Sequence, residues 1–246
     1  EKVKQKRGME GQFHDAKIVQ AIVRNFPLFI QMLNQFINEP DLLMACLSLL
    51  KQIPYHTGDS DRLAEEGIFP VLHAILDRYA GKDDATTITT TTNSSSATTT
   101  TEGLVVLTIE YAKQILILGE NDVRFIAGKA PNTAELLTAI FYRVLKYPTQ
   151  IKMCCVYLRE LCYNSSTNQM NFLRSGVGGH VLKYVIENKK DETVVKLSIS
   201  LIYVLCHPMN EISTKTLLSN RHLKLFAHII RSNSNEPKIS KIMCKF

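Results

Sequence analysis

The residues best able to do chemistry are few, and their spacing does not suit it. Seven histidines are present, at 14, 56, 73, 180, 207, 222 and 228. A hydrolytic zinc site needs two imidazoles one helical turn apart, and no HxxxH or HExxH pair occurs. Cys206 and His207 are adjacent, but neighbours on a helix point about 100° apart and cannot chelate one ion without further ligands. None of the six cysteines forms a CxxC pair. Cys155 and Cys162 lie seven residues apart on one helical face, as small buried thiols do. The run Ser175-Gly176-Val177-Gly178-Gly179 lacks the Lys-Ser/Thr of a phosphate-binding loop and has no strand before it, so it reads as a turn between helices. Asp59, Asp61, Glu65 and Glu66 cluster beside Gly58, where acids at a helix start suit the helix dipole. No catalytic constellation results, and the chain is expected to be neither an enzyme nor a holder of a metal or cofactor.

Composition places these residues in an ordinary core-forming chain. Its 246 residues are 45% hydrophobic, and no run approaches the ~20 apolar residues that span a bilayer, so a soluble protein is expected. Residues 1–7 are charged and polar, unlike a secretory leader, and the first residue is not Met, so a fragment is expected. Unpaired cysteines then favour a reducing, cytoplasmic setting, and the two Asn-x-Ser sequons at Asn93 and Asn164 read as chance. Net charge is +6, with eleven Lys or Arg against five Asp or Glu from Lys183 onward. These charges are scattered singly without interleaved aromatics, which argues for solvated helix faces over a nucleic-acid surface.

One short apolar pattern recurs along the chain. It begins at Leu28, Val71, Leu136, Val181 and Leu225, with spacings of 43, 65, 45 and 44 residues. Three of these spacings match the ~40 to 47 residues of stacked helical repeats. The long one contains Ala85 to Thr101, a Thr/Ser tract of seventeen residues too polar to bury a face, and without it 48 remain. The tract 85–101 is therefore expected to be a disordered loop inserted in one domain spanning 1–246. Between the copies run second amphipathic segments, Leu42 to Ile53, Leu104 to Leu118, Ile151 to Tyr163 and Val194 to His207. Such helix pairs cannot hide their apolar stripes alone, and stacking them buries one continuous core.

Two stretches carry a family likeness. Leu63-Ala64-Glu65-Glu66-Gly67-Ile68-Phe69-Pro70-Val71-Leu72 and Phe172-Leu173-Arg174-Ser175-Gly176-Val177 resemble the short helix, glycine turn and second helix of armadillo repeats. The Cys155 to Cys162 segment is similar to the start of that family's long third helix. The resemblance covers roughly Ala16 to Ser232 and implies an all-α, right-handed α-solenoid of about four to five repeats. Importin-α-type members clamp extended peptides with an Asn ladder and Trp on successive third helices. The matching positions here fall near Gln52, Ile115, Glu160 and Val204, none of them Asn, and the chain has no Trp. That mode of peptide clamping is not expected.

The resemblance implies a non-enzymatic interaction scaffold or adaptor that binds a partner protein on the concave face. Its exposed third-helix residues are taken as Lys51, Gln52, Lys113, Arg159, Glu160 and Tyr203. Two alternatives come from the same family: a regulator or effector of small GTPases, and a structural part of a cytoskeletal or ciliary assembly. The apolar end Ile242-Met243-Cys244-Lys245-Phe246 is unlike a polar terminal cap, so further repeats or a partner are expected beyond it.

Overall fold

The computed structural model describes residues 16–82, 96–130, 132–188 and 191–206, with Ala227 and Arg231. Every regular element among them is helical. The fifth pattern copy at Leu225–Ile230, the end at Ile242–Phe246 and Cys244 lie outside this set, apart from Ala227. No helix among the described residues is long and apolar enough to cross a membrane.

Among the described residues up to Cys206, twelve α-helices follow one another in four triplets, each made of a short, a middle and a third helix. The first triplet is α1 (Ala16–Arg24), α2 (Phe26–Gln35) and α3 (Pro40–Lys51); the second is α4 (Thr57–Glu65), α5 (Ile68–Tyr79) and α6 (Ser96–Leu118). The third is α7 (Asn121–Lys129), α8 (Thr133–Arg143) and α9 (Pro148–Cys162); the fourth is α10 (Ser166–Arg174), α11 (Val177–Glu187) and α12 (Glu192–Cys206). From α2 onward helices pack on their counterparts one triplet along: α3 on α6, α6 on α9 and α9 on α12, with α2, α5, α8 and α11 forming a parallel series and α4, α7 and α10 another.

Local chemistry sets the helix boundaries. Pro27, Pro40 and Pro148 stand in the first turns of α2, α3 and α9, where the missing N–H costs nothing and the fixed φ favours helix. The break between short and middle helix needs a left-handed residue, supplied by Gly67 (φ 89°), Asn132 (φ 63°) and Gly176 (φ 87°) in successive triplets. Gly176 answers the question of the glycine-rich run, because it makes the turn while Gly178 and Gly179 already belong to α11. A Cβ at Gly176 would meet nothing within 4 Å, so the cost of Gly176→Ala is backbone strain alone. The expected loss is about 1–2 kcal/mol in a urea unfolding curve, and an unchanged midpoint would contradict the left-handed turn. At the start of α4, Asp59 accepts the His56 N–H at 2.9 Å, as expected of an acid in a first turn.

The core runs the length of the stack. Phe26, Phe69, Tyr111, Phe141, Tyr157 and Phe172 are its largest wholly buried side chains, and burying each contributes about 2–3 kcal/mol. Two pairs of polar groups inside it meet across triplets. The Tyr55 and Tyr111 hydroxyls meet at 2.9 Å, and His73 Nε2 meets the Tyr157 hydroxyl at 2.7 Å. Cys154, Cys155, Cys162 and Cys206 are buried free thiols, and Cys46 is half-buried. Burial pushes the Cys155 and Cys206 thiols up to about 12, so neither is a ready nucleophile.

The Thr/Ser tract departs from expectation at its C-terminal edge. α6 starts at Ser96, so 96–101 belong to a helix rather than a loop, while 83–95 lie outside the described residues. The chain leaves α5 through Gly81 (φ 70°), whose N–H donates to Gln150 Oε1 of the next triplet at 3.0 Å.

Candidate functional site

All six residues singled out for partner binding lie on the third helices or their ends. Lys51 closes α3, Gln52 caps it, Lys113 is in α6, Arg159 and Glu160 are in α9, and Tyr203 is in α12. Gln52 is exposed, and the other five are half-buried at the solvent edge of the stack.

Several of these side chains are engaged with neighbours. Lys51 Nζ pairs with Glu110 Oε2, tying α3 to α6. Arg159 grips Glu160 Oε1 through Nη2 at 2.6 Å and Nε at 3.1 Å. Lys152 Nζ reaches Asp191 Oδ2 at 3.1 Å, linking α9 to the start of α12. The same Asp191 accepts the Val194 N–H at 3.1 Å. That backbone hydrogen bond, with Lys152 beside it, holds the carboxyl below its usual value. Pairs this exposed contribute about 0–1 kcal/mol each and mainly hold side chains in place. Lys113 differs, forming no ion pair among the described residues.

Two positions of the family ladder do not face solvent. Ile115 is fully buried and Val204 is 9% exposed, so neither is available to a ligand. The solvent-facing positions of α6 and α9 align 46 residues apart, which places Gln114 beside Glu160. In that register two large exposed side chains coincide, Ile117 (54% exposed) at the end of α6 and Tyr163 (50%) at the end of α9. Over the Tyr163 ring, at 5.7 Å, stands Arg124 of α7. Arg124 Nε donates to the Glu160 carbonyl at 3.2 Å; the residue is 9% exposed and has no carboxylate partner among the described residues. The third-helix face therefore combines apolar ends with Lys113, a cation that forms no ion pair among the described residues, while buried Arg124 supports Tyr163 from behind. Residue type alone did not mark Ile117, Tyr163 or Arg124. The recurrence of exposure at a fixed offset finds Ile117 and Tyr163, and Arg124 follows from its place over the Tyr163 ring.

Behind this face, the short helices α7 and α10 approach closely. Asn168 of α10 is 1% exposed, and its Nδ2 donates to the Arg124 carbonyl at 2.7 Å and the Leu161 carbonyl at 2.8 Å. Its Oδ1 has no hydrogen-bond partner and lies against Gly128, where a Cβ would stand 2.8 Å from Asn168 Nδ2 and still nearer Oδ1. Gly128 is thus the small residue that lets Asn168 bolt α10 to α7 and so fix the Arg124 backbone. No protein-family profile matches the chain, and no curated protein matches it at a significant level.

Proposed function

We propose that the chain is a non-catalytic docking scaffold, an armadillo-like α-solenoid whose third-helix face binds a segment of a partner protein. The observation that carries this reading is the coincidence of Ile117 and Tyr163 on stacked third helices, with Lys113 beside them. Exposed apolar side chains recurring along a rigid face, with a cation beside them, suit a chain segment that offers apolar anchors and a carboxylate. The scaffold supplies rigidity, because α6 and α9 are each held between two neighbouring third helices. No metal, cofactor or nucleic acid takes part in this reading.

The test compares what co-purifies from native cells with three forms of the protein. These are wild type, the double variant Ile117→Asp/Tyr163→Asp, and Tyr142→Asp as a control on the exposed side of α8. A stoichiometric partner kept by wild type and control but lost by the double variant is the expected result. Equal recovery with all three overturns the third-helix assignment. A small GTPase retained in only one nucleotide state would make the scaffold a GTPase regulator, and co-sedimentation with filaments would make it a cytoskeletal component.

A further inference from the structure

A cavity of about 300 Å³ lies between α7, α8 and α10, away from the third-helix face. Its wall carries Lys129 from the end of α7, Asn132 and Thr133 from the start of α8, and Asn171 and Arg174 from α10, with Glu135 as the one acid. We propose that this cavity is a binding site for a phosphoryl group, free or carried on another molecule.

Three independent features support the assignment. First, Thr133 is 4% exposed and lines the cavity, yet its hydroxyl makes no hydrogen bond among the described residues. The hydroxyl is not wholly buried, so it keeps access to solvent, and a ligand oxygen would take the place of water there. Second, the cations are uncommitted. Neither Lys129 nor Arg174 forms an ion pair among the described residues, and Lys129 Nζ rests 5.6 Å from the Phe125 ring centre. Third, the first turn of α8 opens onto the cavity without a side-chain cap, because left-handed Asn132 turns away from that role. The Thr133 N–H is donated to the Ala130 carbonyl at 3.1 Å, so the next N–H groups of the turn and the positive end of the helix dipole are what favour an anion there.

The class of anion follows from the donor set. A guanidinium, an ammonium, a hydroxyl, an amide and backbone N–H groups converge from three elements, and a tetrahedral group with several acceptor oxygens can use them together. Glu135 opposes binding by like charge, so the site is expected to be modest in affinity and sensitive to that one carboxylate.

The test is an amide-resolved NMR titration of the full chain with inorganic phosphate, and in a second arm with a phosphoserine peptide, each against sodium chloride of equal ionic strength. Saturable shifts at Thr133, Ala134 and Asn171 are expected. Arg174→Gln should weaken binding about tenfold, and Glu135→Gln should tighten it severalfold. Both substitutions are at exposed positions, so the fold is retained. Tighter binding of the peptide identifies a phosphorylated partner as the source, and equal binding identifies free phosphate. Non-saturating shifts matching those in chloride, or an Arg174→Gln titration identical to wild type, would overturn the proposal. The third-helix reading stands or falls separately, since its variants lie on other residues.

Discussion

Replacing Gly128 with Ala should destabilise the chain by about 3–4 kcal/mol, more than any other single methyl group considered above. The added Cβ overlaps Asn168 Oδ1 and stands 2.8 Å from Nδ2. It cannot be accommodated by a flexible side-chain tip, because Asn168 is 1% exposed and held by two carbonyls. Asn168 must therefore move, leaving the carbonyls of Arg124 and Leu161 without their donor in a dry interior. Each such loss costs about 1–3 kcal/mol. Asn168→Ala alone should cost a similar amount by the same route. The informative comparison is the double variant, in which the clash no longer exists. Its destabilisation should fall short of the sum of the single effects by at least about 2 kcal/mol, read from denaturant unfolding at fixed pH. Additive effects would show that the two residues act independently.

The second large effect concerns acid. His73 is 2% exposed, packed 6.2 Å from the Phe69 ring centre, and bonded to the Tyr157 hydroxyl. Its burial lowers the imidazole pKa to about 4, from 6.5 in the open chain. The unfolded chain therefore takes up a proton at a pH where the folded chain does not. The stabilisation is complete above pH ~6.5, declines as pH falls toward about 4, and changes no further below that. The size of the loss is about 3 kcal/mol. His73→Gln keeps a partner for Tyr157 but does not titrate. Thermal or urea unfolding at pH 7.5 and 4.5 should show wild type losing about 3 kcal/mol more than the variant across that interval. Parallel losses in both proteins would place the acid sensitivity elsewhere.

The helical class and the repeat were legible because both rest on apolar periodicity, which the core enforces. The expected segment Leu42 to Ile53 corresponds to α3, and Ile151 to Tyr163 to α9, within two or three residues at each end. The short-helix turn was readable where Gly67 and Gly176 mark it. At the third triplet it was harder to see, because Asn132 takes the left-handed position and α7 carries only a brief apolar face. The loop boundary failed for a cooperative reason. A helix is hard to nucleate but easy to extend, so once Leu104–Leu118 packs, polar Ser96–Thr101 can continue it at little cost. For the candidate surface, residue type pointed to the third helices but did not single out Ile117 or Tyr163. The long insertion lies before α6 and blurs its alignment with α3, and a one-residue shift on a helix exchanges buried Ile115 for half-exposed Gln114. Ion-pair partners such as Glu110 for Lys51 lie 59 residues away and become visible only once the helices are stacked.

The stacking of each helix on its counterpart has a mechanical consequence. Because the contacts pass from one triplet to the next, load applied along the stack is carried in series, like tension through the links of a chain. Pulled from its ends, such an array yields link by link rather than in one collapse. A partner lying across α3, α6 and α9 would act as a splint, adding a parallel member that bypasses the weakest link. Occupancy of that face would then be readable as stiffness, with the bound array resisting extension to a higher force than the empty one.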